Sequence, residues 1–251
     1  MSEKRILEVC VDSVESALAA EQGGADRFEL CGNLIIGGTS PSPALFRAVR
    51  RETKAKIHVL LRPRFGDFLY TDREFGILLE EAESFLEWGA DGIVCGCLTP
   101  QGALEESRMR RLVELAHGAG ACFTLHRAFD VCRDPMETLS FCEALGVDLI
   151  LTSGQKNTCL EGIPLLRELL TAAKRTEILI GAGVDAGAVL QLREELPAAK
   201  QFHMSGKTVL QSGMEYRKQG VSMGLPSLSE FELWRTEERN VRAAREALDQ
   251  A

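Results

Sequence analysis

The chain has 251 residues, 45% hydrophobic and 26% charged, which is enough for one large core and too apolar for a disordered chain. Its formal net charge of −8 speaks against nucleic acid or an anionic membrane as a partner, and no apolar run approaches the ~20 residues that span a bilayer. Eight cysteines with no Cys-x-x-Cys pair, and a start interrupted by Glu8 and Asp12 where a signal peptide would be apolar, predict reduced thiols in a cytoplasmic protein.

Short apolar strands alternate with amphipathic helices along the chain. Ile6–Val11 reads as a strand and Ser13 as the N-cap of a helix running to Gly23 and Gly24. Strand two is Arg27–Cys31, followed by a Gly-rich loop from Gly32 to Ser42 and a helix over Pro43–Thr53. Strand three is Lys56–Arg62; the helix over Asp72–Trp88 carries Phe75, Leu78, Leu79, Ala82, Phe85 and Leu86 at helical spacing. Strand four over Asp91–Leu98 precedes a helix over Glu106–His117, and strand five over Cys122–Ala128 a helix over Pro135–Leu145. Strands Leu149–Thr152, Glu177–Gly181 and Gln201–Ser205 alternate with helices over Ile163–Lys174 and Asp185–Leu196. The stretch from Gly206 to Gly224 has no clear period, and a helix over Leu228–Leu248 closes the chain.

Such alternation means βαβ units and a parallel sheet. The expectation is α/β, a single-domain TIM (β/α)₈ barrel over 1–251, with 207–251 as a C-terminal extension ending in a long helix. A doubly wound sheet is the alternative, but the Gly-x-Gly-x-x-Gly fingerprint is absent after the first strand.

In a barrel, alternate strand residues point inward and the active site lies at the C-terminal strand ends. Leu7, Val9, Val11, Phe28, Leu30, Ile57, Val59 and Leu61 then face the helices. The inward set is Glu8, Cys10, Arg27, Glu29, Cys31, His58, Arg62, Thr124, His126, Thr152, His203 and Ser205. Glu8, Glu29, Arg62, His126, Asp130 and His203 converge on one mouth in this reading. A structural barrel fills that space with branched aliphatics, so a polar lining predicts either a functional pocket or a self-neutralising buried ion-pair network.

Three chemistries compete for the pocket. In the first, His126 and Glu29 serve as acid and base and Arg62 clamps a carboxylate or phosphate. In the second, Gly181 and Gly183 after strand seven, with Ser205 and Gly206 after strand eight, cradle an anion at the barrel's phosphate position, or simply permit tight turns. In the third, Cys10 and Cys31 end neighbouring strands, ~4.8 Å apart, and together face one Cu(I) ion. Buried free cysteines are also common as small hydrophobes.

The motifs Leu7-Glu8-Val9-Cys10-Val11-Asp12-Ser13, Gly23-Gly24-Ala25-Asp26-Arg27-Phe28-Glu29-Leu30-Cys31, Gly37-Gly38-Thr39-Ser40-Pro41-Ser42 and Arg62-Pro63-Arg64 occur in order. Gly66-Asp67-Phe68, Asp91-Gly92, His126-Arg127-Ala128-Phe129-Asp130, Leu151-Thr152-Ser153-Gly154, Phe202-His203-Met204-Ser205 and Ser212-Gly213-Met214 continue the set. As a set they resemble the CutC family of copper homeostasis proteins. The resemblance implies a TIM barrel, a cytoplasmic location, homo-oligomers, and Cu(I) on Cys10 and Cys31 with no organic cofactor. Copper does not explain the carboxylates and Arg62, because Cu(I) prefers thiolates. An enzyme acting on a small anionic or phosphorylated metabolite is therefore the alternative.

Overall fold

In the computed structural model, which describes residues 4–218, 220–221, 223–225 and 227–250, eight parallel strands close into a barrel in chain order. They are β1 (Ile6–Val11), β2 (Arg27–Leu30), β3 (Lys56–Leu60), β4 (Gly92–Cys95), β5 (Cys122–Leu125), β6 (Leu149–Thr152), β7 (Glu177–Ile180) and β8 (Gln201–Met204). Between them run α1 (Val14–Gln22), α2 (Pro43–Glu52), α3 (Asp72–Glu87), α4 (Glu106–Gly118), α5 (Pro135–Leu145), α6 (Ile163–Ala172) and α7 (Ala186–Glu195). The expected TIM barrel is present.

Local chemistry starts these helices where the sequence says it should. The Ser13 hydroxyl accepts from the Ser16 N–H, and Ser42 caps α2 with Pro43 at its first turn. Thr71 and Glu74 satisfy each other's backbone N–H groups ahead of α3. A three-residue device then recurs before the even strands: Gly24-Ala25-Asp26, Gly89-Ala90-Asp91 and Gly146-Val147-Asp148. Each glycine has positive φ (95°, 87° and 81°), which ends the preceding helix in a left-handed turn. Each aspartate then accepts the N–H of Leu7, Ile57 or Phe123 on the preceding strand, at 2.9, 2.9 and 2.7 Å.

Residues of alternate parity sort as the period of two requires. Leu7, Val9, Phe28, Leu30, Ile57, Val59 and Phe123 are fully buried in the layer between strands and helices. Glu8 lies opposite both Arg27 and His203 inside the barrel, and Cys10 opposite Glu29. Gly92 gives the His58 ring its space, since a Cβ there would lie 2.7 Å from the ring.

Three expectations need correction. Strand four ends at Cys95 rather than Leu98. Strand five ends at Leu125 rather than Ala128, because Arg127–Val131 coil into a 3₁₀ turn in which the Ala128 N–H donates to His126 Nδ1. The closing helix begins at Glu238, not Leu228: α8 (Glu238–Asp249) is preceded by β10 (Glu232–Thr236), antiparallel to β9 (Lys207–Gln211). Phe231–Thr236 is rich in strand formers and finds its partner across a long connection, which helical periodicity does not register. α8 packs on α1 and α7, so the hairpin leaves the barrel after β8 and the chain returns to its outer layer.

Candidate functional site

The strand ends and the hairpin enclose a cavity of about 230 Å³ at the C-terminal mouth of the barrel. Cys10, Glu29, Arg62, His126, His203 and Ser205 all line it, so six residues singled out from sequence meet in one place. Leu34, Leu60, Phe68, Leu151 and Trp234 supply apolar walls. Lys207 stands with its ammonium 3.5 Å from the centre of the Trp234 ring, so β9 and β10 build one side together.

Beneath the cavity floor lies Glu8, 1% exposed. Its carboxylate pairs with the Arg27 guanidinium and accepts from His203 Nδ1 at 2.7 Å. Burial alone would raise its pKa, but Arg27, His203 and His58 together hold it well below the usual carboxylate range. The other ring nitrogen of His203, Nε2, lies 3.9 Å from Glu29 Oε2. Burial opposes charge on this ring, yet the neighbouring Cys10 and the two carboxylates keep it protonated well above the ordinary histidine value. Glu29 is pushed the other way: burial raises its pKa against the pull of His203. Two carboxylates around one imidazole therefore have opposite tendencies, Glu8 to remain ionised and Glu29 to take a proton.

Ligand atoms of Cys10, Glu29 and His203 lie within 4.8 Å of one another. Cys31 is fully buried just behind, its thiol donating to Glu29 Oε2 at 3.4 Å, in a small cluster with Cys10, Leu60 and Val94. Burial, then Glu29, raises its pKa well above the thiol range. All eight cysteines are free thiols.

The opposite side of the mouth is built differently. Arg62 follows β3 and spreads its guanidinium under the Gly-rich loop, donating to the carbonyls of Gly37, Gly38 and Gly66 at 3.2, 3.0 and 2.7 Å. Gly38 has φ +84°, and a Cβ there would sit 2.8 Å from Leu60, so only glycine brings that carbonyl so close. His126 lies nearby, 4% exposed, with its pKa pushed down to about 3 by burial first and by the Arg62 charge second. Sequence reading makes His126 the acid–base group; the structure places the carboxylates around His203 instead.

Asp130 does not line the cavity. It accepts from Thr152 Oγ1 at 2.5 Å, from the N–H groups of Ser153 and Gln155 and from Ser153 Oγ, and it pairs with Arg127 at 2.6 Å. Its work is to tie the β5 and β6 loops together. Among the four glycine-loop residues, Gly183, Ser205 and Gly206 border a separate hollow at the start of α7. Gly181 instead abuts Leu151, where a Cβ would come within 2.6 Å of its Cδ1. Lining residues that sequence reading passes over as site residues include Phe68, Arg127, Lys207, Trp234 and Arg235. Phe68 sits in the quoted Gly66-Asp67-Phe68 motif and Lys207 directly follows Gly206, whereas Trp234 was hidden by the helix expectation.

A profile of the CutC family matches residues 5–208. A CutC family protein of Bacteroides fragilis is 44% identical over 230 residues, 90% of each chain. The human copper homeostasis protein cutC homolog is 40% identical over 94% of this chain and 86% of its own. Among solved structures, the CutC protein of Streptococcus agalactiae superposes with a TM-score of 0.74 at 29% identity, over 80% of this chain and 98% of that one. The profile covers most of the length and every barrel strand, and this chain belongs to the CutC family.

Proposed function

We propose that the barrel mouth binds Cu(I), with Cys10 and Cys31 as thiolate donors and His203 as the neighbouring imidazole, and that the protein handles copper in the reducing cytoplasm. The observation that carries this reading is the meeting of Cys10, Glu29 and His203 ligand atoms within 4.8 Å, together with the copper homeostasis role named for the human relative. A thiolate and an imidazole suit Cu(I); the Glu29 carboxylate is a hard donor and serves better as acceptor of the proton that each thiol must give up. Anaerobic titration with Cu(I) against a competing chelator tests it. The expected result is one tightly held ion, lost in the Cys10→Ser/Cys31→Ser double variant; equally weak binding by both proteins would refute it.

A second reading rests on the opposed tendencies of Glu8 and Glu29 about His203. Pairs of titratable groups driven apart in this way are how one pocket supplies an acid and a base at neutral pH. The mouth then acts as an acid–base centre on a small anionic or phosphorylated metabolite, with His203 and Glu29 exchanging the proton.

A further inference from the structure

Arg62 and His126 share a property that no other pair of cavity-lining side chains has among the described residues. Both are more than nine-tenths buried, and each carries a nitrogen with no hydrogen-bond partner: Nε of Arg62 and Nε2 of His126. The identity of the second follows from its neighbour. The Ala128 N–H donates to His126 Nδ1 at 3.1 Å, so Nδ1 is the bare acceptor and the proton of the neutral ring sits on Nε2. The mouth thus holds two buried N–H donors and no acceptor for either. Leaving a donor unpaired in a buried place costs about 1–3 kcal/mol, so a ligand that supplies oxygen acceptors recovers that cost twice.

Charge points the same way. Of the guanidinium groups lining the cavity, Arg127 is neutralised by Asp130 and Arg235 faces Glu15 at 4.0 Å. The partners of Arg62 are three uncharged carbonyls. Its charge is offset by no carboxylate among the described residues, and a buried cation wants one.

We propose that Arg62 and His126 form the seat of a carboxylate, by which the mouth holds a small organic acid beside Cys10, Glu29 and His203. One full positive charge and one neutral N–H match a monoanion with two oxygens. A phosphate dianion would leave charge and lone pairs unmet there. Phe68 covers the seat, with its ring 4.6 Å from the His126 ring and 5.1 Å from the Arg62 guanidinium carbon. It is half-buried, on the turn-rich connection between β3 and α3. This proposal deepens the acid–base reading, naming the group that anchors its substrate. As a statement about binding, it stands whether or not copper occupies the neighbouring thiols.

The test is calorimetric titration of the metal-free, reduced protein with acetate, glycolate, malate and inorganic phosphate. At least one carboxylate should saturate one site, and phosphate should bind more weakly. His126→Asn keeps the acceptor for Ala128 and deletes the Nε2 donor, so binding should fall about tenfold; His126→Gln keeps the donor and should hold within about threefold. Arg62→Lys keeps the charge without the Nε donor and should also lose about tenfold. Phe68→Ala uncovers the seat and should bind at least as tightly as wild type. The proposal is overturned if no carboxylate saturates wild type or Phe68→Ala, if His126→Asn binds as wild type does, or if phosphate is preferred.

Discussion

Two polar clusters sit at the same end of the barrel, a few residues apart in sequence, and they resolve in opposite ways. Around Asp130 every oxygen is engaged: Thr152, Ser153, Gln155 and Arg127 all donate to it. Around Arg62 and His126 two donors are left over. In sequence both look alike, since His126-Arg127-Ala128-Phe129-Asp130 is one continuous motif. The difference teaches that a polar strand end is evidence of a site only where the protein's own backbone has not consumed it. Asp130 spends its oxygens tying the β5 and β6 loops together, while His126 keeps a donor in reserve.

The comparison is broken most forcefully at Asp130. Asp130→Ala leaves two backbone N–H groups and the Arg127 guanidinium without their acceptor, and should cost roughly 3–5 kcal/mol of stability. Urea unfolding at neutral pH measures it, and a cost below about 1 kcal/mol would mean that the cluster is not the brace described.

A smaller effect sharpens the other cluster. His58 and His126 are held down to about 4 and about 3, by burial first and then by Arg27 and Arg62 respectively. A ring that stays neutral when folded but protonates near pH ~6.5 when unfolded supports the fold fully above that value and withdraws support as pH falls toward the folded pKa. Each ring should therefore remove about 1.4 kcal/mol per pH unit between pH ~6.5 and ~4, while Glu29, raised by burial, works in the opposite sense. The unfolding free energies of wild type and His126→Asn, followed across that window, should separate by one ring's share as pH falls, the variant losing less. Parallel curves would show that His126 is not kept neutral by the fold. At neutral pH the same substitution should shift stability by less than ~1 kcal/mol, because it removes a donor that had no partner.

Much of this was legible in the chain. Period-two parity put Glu8, Cys10, Glu29 and His203 on the inner face, and register pairs Cys10 with Glu29 and Glu8 with His203. Strand count and order could be read because each of the first seven strands is followed by its own helix, most of them capped by a side chain, all local signals. What stayed hidden depends on contacts distant in sequence. The β9–β10 hairpin needs Trp234 to meet Val209, and the helix-forming composition of Glu238–Asp249 carries a periodic reading too far upstream. Roles were hidden for the same reason. Whether His126 or His203 handles protons depends on which imidazole meets Glu8 and Glu29 across the barrel, and whether Asp130 is free depends on the β6 loop. The Gly-small-Asp repeat before β2, β4 and β6 was visible as letters, but its role emerges only when each aspartate reaches back to a neighbouring strand.

The hairpin has a further consequence. The family profile ends at residue 208, just inside β9, so the β10 strand that brings Trp234 to the cavity lies beyond it. Floor and side wall of the mouth are thereby built by separate stretches of the chain: one by the barrel strands, the other by a hairpin that pairs with itself and meets the barrel at Ser16, Ser205 and Gly206. Substitution within the hairpin is then a way to reshape the Trp234 side of the mouth while the thiols, imidazole and carboxylates of the barrel stay as they are.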